Sequence, residues 1–219
     1  AKLLLIQLSN GLTMMIHLKM TGRVLLRPRG EKSGKHTFVA FGLSGGRQLF
    51  WEDVRKFGFL KLVPTRELPA YWKKEGFGPE PLERTFTPNV LRACLMRHKG
   101  KKIKPLLMEP RCVAGLGNIY AAEALWYARV HPGRSAGVLT GAEIYKLHEG
   151  IGKILSAAIR HRGTSADSYV DLFGEPGEYV PRLKVYDRAG KPCARRCGAV
   201  IKKVSLGGRG TYFCPKCQR

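Results

Sequence analysis

The first part of the chain alternates short apolar runs with turn-forming residues. The apolar runs cover 3–8, 13–18, 24–26 and 37–41, and the turns at 9–11 and 45–46 separate them. Runs of this length bounded by glycine and asparagine are typical of β-strands. The pattern predicts β structure over residues 1–63. It resembles half of a sandwich or barrel, so we expect partner strands upstream.

The period of the pattern changes in the second part of the chain. Four prolines and two glycines lie within 64–87, a composition typical of an interdomain linker. Apolar residues then recur three or four positions apart, which predicts helices. These helical segments are 88–97, 103–108, 120–126 and 142–148. Residues 163–185 are polar and glycine-rich without a firm period, as in a mobile loop, and 186–219 form a small terminal module.

The charge of the chain is strongly one-sided. Lys and Arg number 39 against 16 Asp and Glu, a net charge of +23 over 219 residues. Such a balance indicates a polyanionic partner, most often nucleic acid, although a soluble basic surface or a ribosomal protein would also carry it. No run of 18 apolar residues occurs, so we expect no membrane-spanning helix. The opening segment is too short for a secretory signal and lacks a methionine, which suggests processing or a longer protein.

Four of the six cysteines form two close pairs in the terminal module. They follow a C-x3-C, sixteen-residue, C-x2-C pattern and are Cys193, Cys197, Cys214 and Cys217. Two such pairs can place four thiolates around one tetrahedral Zn²⁺, which leaves no position open for water. One structural zinc is predicted, and it should supply much of the folding energy of so short a module. Two disulfides are the alternative, but the clustering favours metal in a reducing compartment.

A glycine-rich turn lies between the two cysteine pairs. The segments 201–206 and 210–213 predict a β-hairpin with its turn at 207–210, which presents Arg209. Glycines allow a phosphate to approach the backbone closely, and an arginine can donate two hydrogen bonds to it. Arg209 is therefore predicted to contact DNA, the alternative being an ordinary solvated charge.

A second glycine-rich turn leads into a helix at 114–123. Free N–H groups at a helix start form a seat for phosphate, and Asn118 can add a side-chain donor. The turn alone is a weak signal, since it lacks the full dinucleotide-binding pattern. The basic run from Lys99 to Lys104 precedes it. Two helices joined by a tight turn and flanked by lysines predict a module that contacts the DNA backbone.

Five motifs and the zinc module occur in an order that resembles the formamidopyrimidine-DNA glycosylase family, which removes oxidised purines such as 8-oxoguanine. The resemblance covers nearly the whole chain, and Asn-Ile-Tyr at 118–120 is closer to this branch than to endonuclease VIII. The motifs are the lysine-bearing strand at 1–5, I-H-L-K-M-T-G at 16–22, D-V-R-K-F-G at 53–58, G-P-E-P-L at 78–82 and the helix–two-turns–helix signature at 115–121.

The resemblance implies DNA-binding roles for the matching residues. Those implied to hold phosphates around the damaged nucleotide are Lys2, His17, Asn118 and Arg209. Those implied to fill the gap left by the flipped base are Met20, Arg55 and Phe57. Lys104 and Tyr120 complete the predicted DNA-binding set, and 163–185 resembles the lesion-capping loop. Apolar wedges and an arginine facing the orphaned base recover part of the lost stacking energy. The residues alone are at least equally consistent with another interpretation, in which Met20 and Phe57 are core residues and His17 is a buried histidine.

The chain departs from the family pattern most strongly at its start. The family's nucleophile is an N-terminal proline followed by a glutamate, whereas this chain begins Ala1-Lys2. We therefore expect the Pro-Glu start, with the helix and strands after it, to be absent from the chain. Lys2 is the first candidate for a catalytic residue, although an unperturbed lysine is protonated near pH 7 and suits a phosphate better. Smaller departures are Lys19 for Gly, Val54 for Pro, Lys56 for Arg and a longer first zinc knuckle.

These features predict an α+β protein with an incomplete N-terminal β-sandwich domain (1–63), a linker (64–87), a helix–two-turns–helix domain with the lesion-capping loop (88–185) and a zinc finger (186–219). The predicted function is base-excision repair by a DNA glycosylase and abasic-site lyase, with the printed chain binding DNA and doing little chemistry. The expected partner is double-stranded DNA with oxidised purines or abasic sites, bound by a monomer in the bacterial cytoplasm at the nucleoid. The alternatives are a non-catalytic DNA-binding relative and a basic ribosome-associated zinc protein.

Overall fold

In the part of the chain that the structure describes, residues 2–166 and 168–219, six strands precede five α-helices and a β-hairpin comes last. This computed structural model confirms the predicted α+β class. The strands are β1 (Leu3–Gln7), β2 (Leu12–His17), β3 (Gly22–Pro28), β4 (Thr37–Leu43), β5 (Arg47–Asp53), β6 (Phe59–Pro64), β7 (Lys202–Leu206) and β8 (Arg209–Phe213). The helices are α1 (Leu68–Glu75), α2 (Pro88–Arg97), α3 (Ile103–Leu107), α4 (Asn118–Ala128) and α5 (Gly141–Arg160). None of these described helices has the length and apolar character needed to span a bilayer.

The internal contacts divide the chain into two compact units. The first, which we call the β unit, contains Lys2–Glu75 and Arg160–Val180. The second, which we call the helical unit, contains Gly76–Ile159 and Pro181–Arg219. The segment predicted as a lesion-capping loop of the helical domain therefore lies for the most part in the β unit. The reason is local, since its backbone is hydrogen-bonded to β3.

The β unit contains two antiparallel three-stranded sheets. Their strand orders are β1-β2-β6 and β3-β5-β4. The central strand β2 is covered on both faces, so that Met14, Met15 and Ile16 are buried. The edge strand β1 pairs with β2, with Leu3 opposite His17. Its apolar side chains are exposed for most of its length.

Helices α2 to α5 of the helical unit surround one apolar core. Thr87 begins α2 by accepting a hydrogen bond from Val90 N at 3.3 Å, and Pro88 follows where no amide donor is needed. On α5, Ile144, Leu147 and Ile151 are buried at spacings of three and four residues, which places them on one helical face. The hydrophobic spacing in the sequence therefore predicted the helices of this unit correctly.

The predicted linker, 64–87, contains more regular structure than its composition suggested. Its first half forms a 3-10 turn, Thr65–Glu67, and then helix α1. Pro69 is the second residue of α1. A proline in the first turn removes an N–H that has no partner within the helix, so it does not prevent helix formation. Prolines in this segment therefore occur at the start of a helix as well as in connecting segments.

Two cysteines outside the zinc module form a disulfide. Cys94 of α2 is bonded to Cys112, with a Cα–Cα distance of 5.6 Å and a sequence separation of 18 residues. The bond joins α2 to the segment that leads into the glycine turn at 115. The sequence analysis assigned no role to these two cysteines, and the four cysteines of the zinc module stay free of disulfides. Two cysteines so far apart on different elements have no local signature in a sequence.

We expect this disulfide to appear in a thiol count. Without reductant, the denatured and zinc-free protein should show four reactive thiols, and after reduction it should show six. Cys94→Ser should show five without reductant and should lose about 3 kcal/mol of stability, the entropic contribution of a closed loop of this size. Six thiols before reduction, in protein purified without reductant, would contradict the bond.

Candidate nucleic-acid interface and zinc site

The four cysteines of the terminal module form one cluster in the structure. Their Sγ atoms all lie within 4.8 Å of one another, with Cys197 and Cys214 at 3.5 Å and Cys193 and Cys217 at 3.9 Å. A tetrahedral zinc with Zn–S bonds of about 2.3 Å places its sulfurs about 3.8 Å apart. The amide of Cys217 also points at Cys214 Sγ, at 3.4 Å. The cluster therefore fits one structural Zn²⁺, and the longer first knuckle does not displace Cys197 from it.

The zinc module is fastened to the end of α4 by two polar side chains. Arg195, inside the first knuckle, donates to the carbonyls of Trp126 and Tyr127 at 2.8 and 3.0 Å and lies 3.9 Å above the Trp126 ring. Gln218 is buried, accepts from Cys214 N at 2.8 Å and donates to Val130 O at 2.9 Å. The last carbonyls of a helix lack N–H donors from within the helix. Arg195 therefore satisfies α4 and fixes the zinc module to it.

The turn before α4 carries Asn118 in a fixed orientation. Gly115 has φ +76° and Gly117 is the N-cap, so α4 begins at Asn118 itself. Asn118 Oδ1 accepts from Lys104 Nζ, and Asn118 Nδ2 donates to Gly210 O at 3.2 Å. The amide group of Asn118 thus has both ends held. The contact with Gly210 uses one of its two amide N–H donors.

Lys104 is buried, in contrast to the surface lysine that the basic run predicted. Its side chain is 1% exposed. The ammonium group donates to Thr211 Oγ1 at 2.8 Å as well as to Asn118. Burial, and then repulsion from Arg209, lower its pKa to about 8. Lys104 therefore joins α3, α4 and β8, and direct contact with a phosphate is not its role in this geometry. Its neighbours Lys99, Lys101 and Lys102 are exposed, as predicted.

Arg209 is exposed at the tip of the zinc-module hairpin. The turn consists of Gly207 and Gly208, both with positive φ, and Leu206 pairs with Arg209 across it. Two left-handed residues fit the twist of a two-residue hairpin turn, which is why glycine occupies both positions. A side chain at Gly207 would also come within 3.1 Å of Pro105 of α3. The hairpin tip therefore lies close to α3, with Arg209 pointing to solvent.

Glu123 of α4 is a structural residue that the sequence analysis did not single out. It is buried, and its carboxylate accepts backbone hydrogen bonds from Lys184, Val185 and Tyr186 at 2.8–3.1 Å. Burial raises its pKa against the opposing effect of these donors. The carboxylate fixes the chain entering the zinc module onto α4. Tyr120, one turn earlier, is half-buried against the core and is less accessible to DNA than predicted.

In the β unit, a buried carboxylate organises the turn that carries Arg55 and Phe57. Asp53 accepts from Thr21 Oγ1, from Gly58 N at 2.7 Å and from Arg55 N at 3.2 Å. Burial alone would raise its pKa, but these hydrogen bonds outweigh burial and lower it. The ionised carboxylate therefore holds this turn through three hydrogen bonds, with valine at position 54 where the family pattern has proline. Asp53 was part of the motif quoted above but was not recognised as its anchor.

The predicted wedge residues are exposed. Met20 is 53% and Phe57 56% exposed, which excludes the alternative that they are core residues. The Arg55 guanidinium lies 4.7 Å from the centroid of the Phe57 ring. Thr21, the residue after Met20, bonds both Asp53 and Arg55 N. The turns that carry Met20 and the Arg55–Phe57 pair are therefore tied together.

The turn before Met20 explains a departure from the family pattern. Lys19 has φ +51°, the left-handed region that glycine adopts without strain. The family pattern has glycine here, and the lysine accepts the strained conformation. At Gly22, by contrast, a side chain would come within 2.4 Å of Leu18 O. The turn tolerates the first substitution and excludes the second.

Lys2 and His17 line one cavity together with Met20. The cavity has a volume of about 350 Å³, and the other lining residues are Leu3, Leu4, Leu18, Lys19, Gly22, Ser168 and Tyr169. His17 Nδ1 accepts from Lys19 N at 2.9 Å, so Nε2 carries the ring proton. Burial and the charges of Lys19 and Lys2 lower the His17 pKa. His17 is thus a half-buried neutral donor at a cavity that Lys2 and Lys19 also line. Ala1 lies outside the described residues.

Three family models cover most of the chain. The formamidopyrimidine-DNA glycosylase N-terminal domain matches residues 1–60, its H2TH domain matches 77–169, and the zinc finger found in FPG and IleRS matches 190–219. The chain belongs to the formamidopyrimidine-DNA glycosylase family. The N-terminal match begins at residue 1 and gives no support to the expectation of a missing first segment.

Individual members of the family match over the full chain. The glycosylase of Desulforamulus reducens is 46% identical over 218 residues, which are 100% of this chain and 78% of that protein. The glycosylase of Lactiplantibacillus plantarum is 45% identical, with 79% of it covered. Among solved structures, Lactococcus lactis Fpg in complex with abasic-site DNA has a TM-score of 0.92 at 38% identity, and the match covers 100% of this chain and 79% of that one. A mutant of the same protein with Fapy-dG DNA gives the same TM-score.

The zinc site gives a direct test of the terminal module. Because residues 190–219 bury too little surface to fold alone, zinc removal should unfold them and weaken DNA binding. Metal analysis should find about one zinc per chain, and adding zinc back should restore the circular dichroism spectrum and the affinity. A metal-free protein, purified without chelator and with DNA binding intact, would contradict the site.

Proposed function

We propose that this protein binds double-stranded DNA with an oxidised purine or an abasic site and acts in base-excision repair, as a DNA glycosylase and abasic-site lyase. The observation that carries the proposal is the exposure of Met20 beside a cavity that also contains Lys2 and His17. An exposed apolar side chain can occupy the space of an extruded base, and nearby cations suit its phosphates. The cavity volume of about 350 Å³ lies within the range of ligand pockets.

The roles proposed for the individual residues follow their surroundings. Phe57 and Arg55 are held in one turn, so they are suited to enter the duplex with Met20. Asn118 and the exposed Arg209 are suited to hold phosphates, with Lys104 positioning Asn118 from behind. The relatives from Lactococcus lactis were solved with abasic-site and Fapy-dG DNA, which supports lesion-containing DNA as the partner of this chain.

The alternative is a non-catalytic DNA-binding relative, and the source of the nucleophile distinguishes the two. The family chemistry requires a neutral amine that attacks C1′, expels the base and forms an imine, after which elimination cleaves the strand. We propose that a Pro-Glu-led segment supplies this amine and covers β1. The exposed leucines and isoleucine of β1 support this, since an apolar edge strand without a cover is an aggregation hazard. Lys2 remains a second candidate for the amine.

The remaining features of the proposal concern organisation and location. We propose that domain limits follow 1–63, 88–185 and 186–219, with 64–87 connecting the first two. The family matches at 1–60 and 190–219 support the first and last of these limits. The H2TH match at 77–169 begins inside the proposed connection, and the compact units assign Arg160–Val180 to the β unit, so the middle limits stay a proposal. The protein is proposed to act as a monomer in the bacterial cytoplasm, in association with the nucleoid. A ribosome-associated role is disfavoured because the exposed Met20 and Phe57 have no use in recognising RNA shape.

DNA binding tests the proposed function. The wild-type protein should bind an abasic-site duplex more tightly than an intact duplex, because no base must be unstacked. Affinity should fall steeply as salt rises, and Arg209→Ala should lower the log–log slope by about one unit on every sequence. Lys191→Ala is a matched control, since Lys191 is an exposed cation of the zinc module away from the hairpin tip. Equal affinity for abasic and intact DNA would reject the proposal.

Borohydride trapping tests the source of the nucleophile. The printed chain should trap an abasic site poorly, and the same chain preceded by a Pro-Glu-led segment of family length should trap it rapidly and excise 8-oxoguanine. If the printed chain traps efficiently and Lys2→Ala abolishes this, Lys2 is the nucleophile and the proposed segment is unnecessary.

A further inference from the structure

The segment 163–180, which we call the capping loop, contains a compact turn at 171–175. The carboxylate of Asp171 accepts hydrogen bonds from Phe173 N and Glu175 N, each at 2.9 Å. Asp171 N donates to Glu175 O at 2.9 Å and closes the turn. These hydrogen bonds give the turn a fixed internal shape. Its position is set by its contacts with other segments of the β unit.

The turn contacts the outer edge of β3. In the sheet order β3-β5-β4, strand β3 has β5 on one side and an open edge on the other. Leu26 N on this edge donates to Leu172 O at 2.8 Å. Arg27 Nη1 donates to Phe173 O at 3.2 Å and to Leu26 O at the same distance. A side chain at Gly174 would lie 3.3 Å from Arg27 Nη2, so the guanidinium is packed closely against the turn.

The opposite arm of the capping loop lies at the cavity. Ser168 and Tyr169 are among the residues that line it. Ser168 Oγ donates to Met20 O at 2.7 Å, which links the loop to the backbone of the wedge residue. Ser165 Oγ donates to Tyr169 O at 2.6 Å and accepts from Gly177 N at 2.8 Å. The loop therefore has one contact region at the cavity and a second, at Arg27, on the edge of β3.

We propose that Arg27 is a positioning residue that fixes the capping loop for recognition of a damaged base. The inference rests on the proposed function, in which the cavity receives the extruded base. A loop that is ordered before binding does not lose its conformational freedom when the base arrives, so more of the contact energy appears as affinity. An abasic site presents no base to the loop. Arg27 should therefore matter for a lesion-containing duplex and not for an abasic one.

The alternative is that Arg27 is a surface ion-pair residue. Arg27 Nε lies 3.2 Å from Glu31 Oε1, and Glu31 is largely exposed. Exposed ion pairs contribute little to stability. Glu31→Gln removes this ion pair and keeps the bonds of Arg27 to the loop, so it is a matched control. Arg27→Lys retains the charge but not the planar fork that reaches two carbonyls.

The test compares affinities for three duplexes: intact, abasic (tetrahydrofuran) and 8-oxoguanine with a 2′-fluoro sugar that resists excision. Arg27→Ala should weaken binding of the lesion duplex by about tenfold, the loss expected for one charge-assisted hydrogen bond, and leave the abasic duplex unchanged. Arg27→Lys should be intermediate and Glu31→Gln unchanged. Chymotrypsin should cut Arg27→Ala faster than wild type at the exposed Phe173 in the absence of DNA.

The possible outcomes separate this inference from the proposed function. If wild type does not prefer the abasic and lesion duplexes to the intact one, the proposed function fails. If wild type shows the preference and Arg27→Ala keeps the same ratio of lesion to abasic affinity, the positioning role is wrong. Equal loss on both duplexes also overturns it, because Arg27 then acts on the fold as a whole. Should Arg27→Ala not fold, the ratio measured with Arg27→Lys decides in the same way.

Discussion

The buried ammonium group of Lys104 is the contact on which the helical unit depends. It joins α3 to Asn118 at the start of α4 and to Thr211 of the zinc hairpin. A charge out of water costs several kcal/mol unless it is fully hydrogen-bonded, so the network is favourable with all its members in place and costly when one is lost. Correct formation of the zinc module therefore sets the orientation of Asn118. The metal, although remote from any chemistry, supports the proposed phosphate site through this lysine.

The β unit uses the same device with the opposite charge. The buried carboxylate of Asp53 receives the Thr21 hydroxyl and the amides of Arg55 and Gly58. These donors belong to the two turns that present Met20 and the Arg55–Phe57 pair. Exposed side chains such as Met20 and Phe57 gain no support from a core of their own. One buried acceptor that binds both turns gives these residues a fixed geometry, even where valine replaces proline at position 54.

The sequence predicted those features that are local, periodic or fixed in spacing. The helices of the helical unit, the four zinc ligands and the exposed Arg209 followed from such patterns. The features it did not reveal depend on long-range partners. Lys104 is part of a basic run, so the sequence predicted a surface residue. Its burial could not be predicted because its partner Thr211 lies more than a hundred positions away. The Cys94–Cys112 bond and the contact of the capping loop with β3 were missed for the same reason.

The placement of Arg209 connects charge, fold and binding. Its positive charge lies close enough to lower the pKa of Lys104 further than burial does alone, so the two cations oppose each other in the free protein. The chain has a net charge of +23 and few acidic groups to offset this repulsion. A phosphate beside Arg209 screens the repulsion, and by thermodynamic linkage phosphate binding and protonation of Lys104 then favour each other. The charged form of Lys104 has three N–H donors, and its acceptors are Asn118 Oδ1, Thr211 Oγ1 and, at 3.5 Å, Gly210 O. If Arg209 binds phosphate as proposed, that phosphate would therefore also strengthen the buried network around Lys104.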